Sequence, residues 1–261
     1  MTIGVGDRNP TPNYPLKYQY RDRTKPAFIR VPIRNIVLTA ERPAAMFFRE
    51  MIDESVYREY FDALVVGDRA ACHAIVQGLL DKDVAIHAVY VELFQRAMYE
   101  IGELWEKNKI SVATEHLATA ITESLMTLVY PRIFSAEHIG RSAIVSAVSN
   151  EYHQIGAKMV ADIFELNGWN GYFLGANTPT PDLVRSIIDR RPDALALSLS
   201  ISSNLPSLLE IIEQVRSFDD ELPILVGGQA FRWIEPETID AYPRVVHLET
   251  LEGLERFIRN N

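Results

Sequence analysis

AIVSAVSNEYHQIGAKMVADIFELNG, residues 143–168, decides the fold. Its first six residues, Ala143–Val148, are a short apolar run that reads as a buried strand. Ala157–Asn167 then carries apolar residues at helical spacing, and Gly168 ends the helix. The link between them is Glu151-Tyr152-His153-Gln154-Ile155-Gly156, placed where the strand stops. Downstream the same rhythm repeats. Gly171–Leu174, Ala194–Leu199, Ile224–Val226 and Val245–Leu248 read as strands, and Pro181–Arg190 (entered through Thr180), Pro206–Phe218 and Leu251–Arg259 as helices. Such alternation predicts an α/β unit with a parallel sheet covered on both faces. Ligands of open parallel sheets bind beyond the C-terminal ends of the strands.

Upstream the pattern is helical from about Glu54 to Ile133. Tyr57, Tyr60, Phe61, Leu64 and Val65 recur at helical spacing, Gly67-Asp68 closes one helix and caps the next, and Ala71, Ile75 and Leu79 continue the apolar face. Two longer helices are expected at Val84–Trp105, with a break near Phe94, and at Ser111–Tyr130, stopped by Pro131. Short connections between them predict a small antiparallel bundle. Residues 1–43 contain six prolines and no sustained period, which predicts an extended arm with a short strand at Ile33–Leu38.

Composition narrows the classes. The chain has 261 residues, 48% of them apolar, enough for two modest cores. Its one cysteine, Cys72, excludes an intramolecular disulfide, and no Cys/His cluster has zinc spacing. The net charge of −9 divides unevenly, with residues 1–43 at +5 and the remainder at −14. A body that acidic repels phosphate backbones, so only the basic arm is a candidate for touching DNA. With no signal peptide and no apolar run of about 18 residues, a cytoplasmic protein without a membrane partner is expected.

Three small motifs sit at predicted strand ends: Glu151-x-His153-x-x-Gly156, Ser198-Leu199-Ser200, and Gly227-Gly228. The loop histidine can ligate a metal through one ring nitrogen while Glu151 holds the other, which sets the tautomer and raises basicity. Gly156 reads as a tight-turn residue. Ser198 and Ser200 can line a slot with hydroxyl donors, and glycine at 227 and 228 lets a ligand approach the backbone with no Cβ in the way. An isolated ExHxxG is usually an ordinary surface loop; the order and spacing here, 41 residues from Gly156 to Ser198 and 26 from Ser200 to Gly227, make coincidence a poor account.

That spacing resembles the signature of cobalamin-binding domains of the methionine-synthase type. The resemblance implies "base-off, His-on" binding, with His153 as the lower cobalt ligand and the cofactor's nucleotide tail threading past the serine and glycine strands. Leu174-Gly175-Ala176-Asn177-Thr178-Pro179 resembles the segment after the second strand of such domains. Glu151 stands where many methyltransferases have Asp, and Ser200 where the serine motif usually has Leu.

Trp105, nine residues, then Glu115-His116 is in turn similar to the helical cap of adenosylcobalamin photoreceptors of the CarH type. The resemblance implies that the indole shelters the upper face of the corrin and its adenosyl group, with Glu115 and His116 bonding ribose or adenine. Glu106 follows Trp105 where that family has a histidine able to ligate cobalt after photolysis; His116 and His87 are the available substitutes. Residues 1–50, rich in proline, cannot form the winged helix-turn-helix reader of the MerR kind. Stand-alone sensors similar to the AerR/PpaA antirepressors act on a separate transcription regulator.

The expected fold is therefore α/β: an extended arm over 1–50, a four-helix-bundle cap over 51–138, and a Rossmann-like (flavodoxin-like) doubly wound parallel sheet over 139–261 that binds cobalamin. The expected function is non-enzymatic, with no catalytic residue: adenosylcobalamin photolysis alters self-association or the grip on a transcription regulator. A corrinoid carrier subunit for methyl transfer is the alternative. A radical mutase fragment lacks room for its substrate barrel. The sequence leaves open the upper ligand, a second chromophore such as a linear tetrapyrrole, and the partner.

Overall fold

A computed structural model describes residues 52–261; the N-terminal arm and the strand expected at Ile33–Leu38 lie outside the described residues. The first helix, α1 (Glu54–Val66), is capped by Asp53, whose carboxylate accepts the Ser55 N–H at 2.8 Å. Gly67 closes it in the left-handed region at φ 78°, and Asp68 at once caps α2 (Arg69–Asp81) by accepting the Ala71 N–H. The Gly67-Asp68 punctuation is as the sequence predicts. The buried face of α2 is Cys72, Val76, Leu79 and Leu80, rotated by one residue from the expected stripe, with Ala71 and Ile75 at its margin.

No break occurs near Phe94. Instead α3 (Ile86–Ala88) runs through a π-helical stretch, Val89–Gln95, into α4 (Arg96–Glu106). The wider π turn lets Val89, Tyr90, Leu93 and Phe94 all face inward, which an uninterrupted α-helix would manage less fully. α5 (Val112–Met126) starts at Ser111, whose hydroxyl accepts the Thr114 N–H. Pro131 does not end the helical region. The chain tightens into a 3₁₀ turn at Thr127–Val129, and Pro131 then lies in the first turn of α6 (Tyr130–Ile133), where its missing N–H has no bond to lose. Arg132 anchors this segment by donating to the carbonyls of Leu80 and Val84 and to Asp83.

Strand and helix then alternate: β1 (Ser142–Ala147), α7 (Ile155–Leu166), β2 (Asn170–Phe173), α8 (Thr180–Arg190), β3 (Ala194–Ser198), α9 (Leu205–Arg216), β4 (Ile224–Gly227), α10 (Glu237–Asp240), β5 (Val245–His247) and α11 (Leu251–Asn260). Only the short α10 was not anticipated. All four pairings are parallel, in the order β2-β1-β3-β4-β5 of the flavodoxin-like doubly wound sheet. Alternate residues feed opposite faces. Ile144, Leu195, Leu197 and Val226 pack under α8 and α9, whereas Ala143, Val145, Ala196 and Leu225 pack under α7 and α11.

The second of these cores continues without interruption into the helical bundle. A buried polar cluster crosses the same joint. The Tyr90 hydroxyl donates to Asp162 of α7 at 2.7 Å, and Lys158 lies 3.7 Å from Asp162 and donates to the Tyr130 hydroxyl. His87 adds a contact further along, 2.9 Å from Glu252 and 3.3 Å from Glu255 of α11. No helix among the described residues is long and apolar enough to cross a membrane.

Candidate cofactor site at the crest of the sheet

Glu151 organises the crest. It follows β1 and is fully buried, an expensive place for a carboxylate unless every lone pair is used. Oε1 accepts the His153 N–H at 3.1 Å and lies 2.5 Å from His153 Nδ1, while Oε2 accepts the N–H groups of Ser200 and Ile201 at 2.8 and 2.9 Å. Burial pushes the carboxyl up, but the His153 ring and the three N–H groups outweigh it and hold it at about 2. The histidine responds in the opposite sense. Its hydrogen bond to Glu151 raises it above the ordinary value, burial opposes, and the charges of Glu151 and of Glu115 on α5 raise it further.

With Nδ1 committed to the carboxylate, Nε2 is the nitrogen His153 can offer. Its side chain is 58% exposed. A neutral imidazole with its far nitrogen fixed by a buried carboxylate is the donor a transition metal takes. Gly156 is not a turn residue: it lies in the first turn of α7, and a Cβ added there would meet nothing within 4 Å. The protein's own packing does not require that glycine, and the space beside His153 stays open. The residues fit a cobalt corrinoid approaching from above the sheet.

Gly227 and Gly228 are glycine for a different reason than ligand approach. A Cβ on Gly228 would stand 2.3 Å from the Leu199 carbonyl oxygen, and φ is 119°, so the β4 loop closes on β3 only without a side chain. Gly227 is the Cα partner of Ser198 and would bring a Cβ to 3.0 Å of the Leu248 carbonyl. Ser198, half-buried, ends β3, and Ser200 contributes its backbone N–H to Glu151. Thus Glu151, His153, Ser198, Ser200, Gly227 and Gly228 are assembled along three adjacent strand ends.

Sequence reasoning undervalued the segment after β2. Asn177 donates its N–H to the Glu151 carbonyl, accepts the Asn150 N–H on Oδ1, and turns its amide toward the Tyr152 hydroxyl at 3.3 Å. Thr178 accepts from buried Ser146 at 2.9 Å. A serine inside an otherwise apolar strand, and two asparagines now seen at positive φ (Asn150 65°, Asn177 49°), were the available signals.

Above the crest stands the cap. Gln154 donates to Glu123 of α5 at 2.8 Å, which ties the histidine loop to that helix. Glu115, near the start of α5, accepts from Thr119 at 3.0 Å and lies 3.5 Å from the ring of His116, itself largely exposed. Trp105, in the last turn of α4, has 47% of its surface exposed, so it is not bundle core as aromatics at helical spacing usually are. It stays outside the Glu151 network. His87 is held by α11.

Comparison with known proteins agrees with this arrangement. Two family models match, each described as a B12 binding domain, one over residues 141–256 and the other over residues 56–130. Neither is a DNA-binding domain. The chain is 28% identical over 124 residues to the HTH-type transcriptional repressor CarA of Myxococcus xanthus, covering 48% of this chain and 43% of that one. It is 26% identical over 142 residues to CarH of the same organism, 54% of this chain and 47% of that one. The chain thus spans less than half the length of these relatives. The structure of the Methanosarcina barkeri monomethylamine corrinoid protein superposes with a TM-score of 0.69 at 14% identity, over 80% of this chain and 100% of that one, which places the fold. Residues 56–130 and 141–256 thus each match a B12 binding domain, and the chain is homologous to the CarA and CarH repressors.

Proposed function

We propose that this protein is a light-sensing regulator that holds adenosylcobalamin between the crest of its sheet and its helical cap, and is not an enzyme. One observation carries the reading: the loop of His153, whose ring is held by buried Glu151, is tied to the cap helix α5 by the Gln154–Glu123 hydrogen bond at 2.8 Å. When bound, adenosylcobalamin supplies a photolabile cobalt–carbon bond. His153 Nε2 would hold the metal, and Ser198, Ser200, Gly227 and Gly228 would line the path of the tail. Trp105 would offer its indole as cover, with Glu115 and His116 as hydrogen-bond partners for a group held there.

Trp105, already half in solvent, would lose a packing partner once the cobalt–carbon bond is cleaved. The cap, residues 51–138, would then resettle against residues 139–261 and alter a protein interface, on a second copy or on a transcription regulator. A coupling of about 1 to 3 kcal/mol between the two states is enough. The corrinoid carrier reading draws on the same fold, since a corrinoid protein superposes on most of the chain. Green light on the purified holoprotein separates the two. The sensor reading expects the adenosylcobalamin spectrum to change together with the elution volume, and His153→Ala to abolish cofactor uptake. An unchanged spectrum, with methylcobalamin turned over by a methyl donor, would establish the carrier instead.

A further inference from the structure

Beyond the strand ends the loops carry almost no positive charge. Residues 148–154, 174–179, 199–204, 228–236 and 248–250 link each strand to the helix that follows, and they hold three carboxylates, Glu151, Glu235 and Glu249, against one arginine, Arg232, and no lysine. The turn that carries Arg232 is oriented by its neighbours. It is a 3₁₀ turn, Gln229–Arg232, entered from Gly228. Ala230 is buried and donates its N–H to the Leu199 carbonyl at 3.2 Å, and Phe231 stacks on His247 of β5 with ring centroids 4.4 Å apart. Arg232 is exposed and reaches toward the cap, its guanidinium carbon 5.1 Å from the centre of the Tyr99 ring on α4.

Among the described residues no oxygen accepts a hydrogen bond from that guanidinium and no carboxylate pairs with it, so its fork of five N–H donors faces only an aromatic ring and solvent. The fork matches the oxygens of a phosphate two at a time, and its charge does not depend on pH in the ordinary range. It stands four residues beyond Gly228, on the side of the crest that faces the cap. We infer that Arg232 is a binding residue for the phosphodiester of the cofactor's nucleotide tail. The inference rests on the cobalamin reading above and deepens it. The tail carries one phosphodiester anion, which enters loops whose other fixed charges are negative, and Arg232 is the cation placed to offset it. The protein thereby prefers the complete cofactor to corrinoids that end before the phosphate.

The test titrates the full-length protein, as wild type, Arg232→Gln and Arg190→Gln, with hydroxocobalamin and with diaquocobinamide, which keeps the cobalt and the corrin but lacks the phosphate and all that follows it. Arg190 makes the same kind of contact, 4.3 Å from the Tyr172 ring, but in the last turn of α8 just before β3 begins, and controls for the lost charge. Arg232→Gln should weaken hydroxocobalamin at least about tenfold, the loss of charge-assisted hydrogen bonds to an anion, and leave diaquocobinamide within about twofold. The apoprotein's thermal midpoint should hold, and Arg190→Gln should change neither affinity. If Arg232→Gln weakens both corrinoids alike, the arginine only secures Tyr99 and the phosphate assignment is wrong; if it weakens neither, the assignment is equally wrong. In both cases the loss of all uptake in His153→Ala would leave the cofactor site standing. If wild type takes up neither corrinoid, the proposed function and this inference fall together.

Discussion

Glu151 is the residue on which most of the crest depends, because four donors converge on one carboxylate that water does not reach. Its pKa is depressed from 4.5 to about 2, so folding favours the charged form. The corresponding stability is fully present above about pH 4.5 and is lost as pH falls toward 2. His153 has the opposite sign. Raised above its ordinary 6.5, it contributes below that pH, and the contribution disappears as pH rises through the raised value. Glu151→Gln should therefore destabilise by about 1.5 to 3 kcal/mol, the worth of hydrogen bonds to a charged group. Urea melts of wild type and variant should differ most between about pH 4.5 and 6.5, converge as pH falls toward 2, and narrow only in part above pH 6.5, where the charge of His153 is lost; a difference flat from about pH 3 to about pH 8 would contradict the pairing.

At the scale of elements, α7 joins the two halves. Its N-terminus follows the histidine loop, and one to two turns along it Lys158 and Asp162 meet Tyr130 and Tyr90 of the cap. Burial raises Asp162, and the Tyr90 hydroxyl and Lys158 only partly offset that. Tyr90 lies in the π-helical stretch. Tyr90→Phe should cost about 1.5 to 3 kcal/mol by stripping a donor from a buried carboxyl. In an Asp162→Asn background the same change should cost at least about 1 kcal/mol less. Equal costs in the two backgrounds, measured by denaturant melts, would show the pair to be uncoupled.

For the molecule as a whole, the cap and one face of the sheet share a single core, from Tyr60 and Leu93 through Met126 to Phe164 and Val145. Neither half can lose its structure without exposing the other's apolar surface. Residues 52–261 should unfold in one cooperative transition, with near-ultraviolet circular dichroism and tryptophan fluorescence giving the same midpoint. The tryptophans report on different places, since Trp169 is buried against Phe164 whereas Trp105 and Trp233 are exposed. Two resolved midpoints would mean that the cap opens independently. That outcome would relocate the regulatory motion from a resettling of packed halves to an unfolding of the cap.

Period and punctuation are local properties, so the sequence alone determined the helical region, the five strands and their order of appearance, the Gly67-Asp68 boundary and the three strand-end motifs. Each depends on residues a few positions apart. The tertiary structure alone decided what those motifs do to one another. That Glu151 spends its second oxygen on the backbone of residues 200 and 201, 49 and 50 positions away, could not be read from a pattern. Nor could the reason for Gly228, which is the Leu199 carbonyl on the neighbouring strand, or the passage of the chain through Pro131, which depends on a proline falling in a first helical turn. Periodicity records which face of an element is buried, but hydrogen-bond partners and backbone clearances exist only once distant segments are side by side.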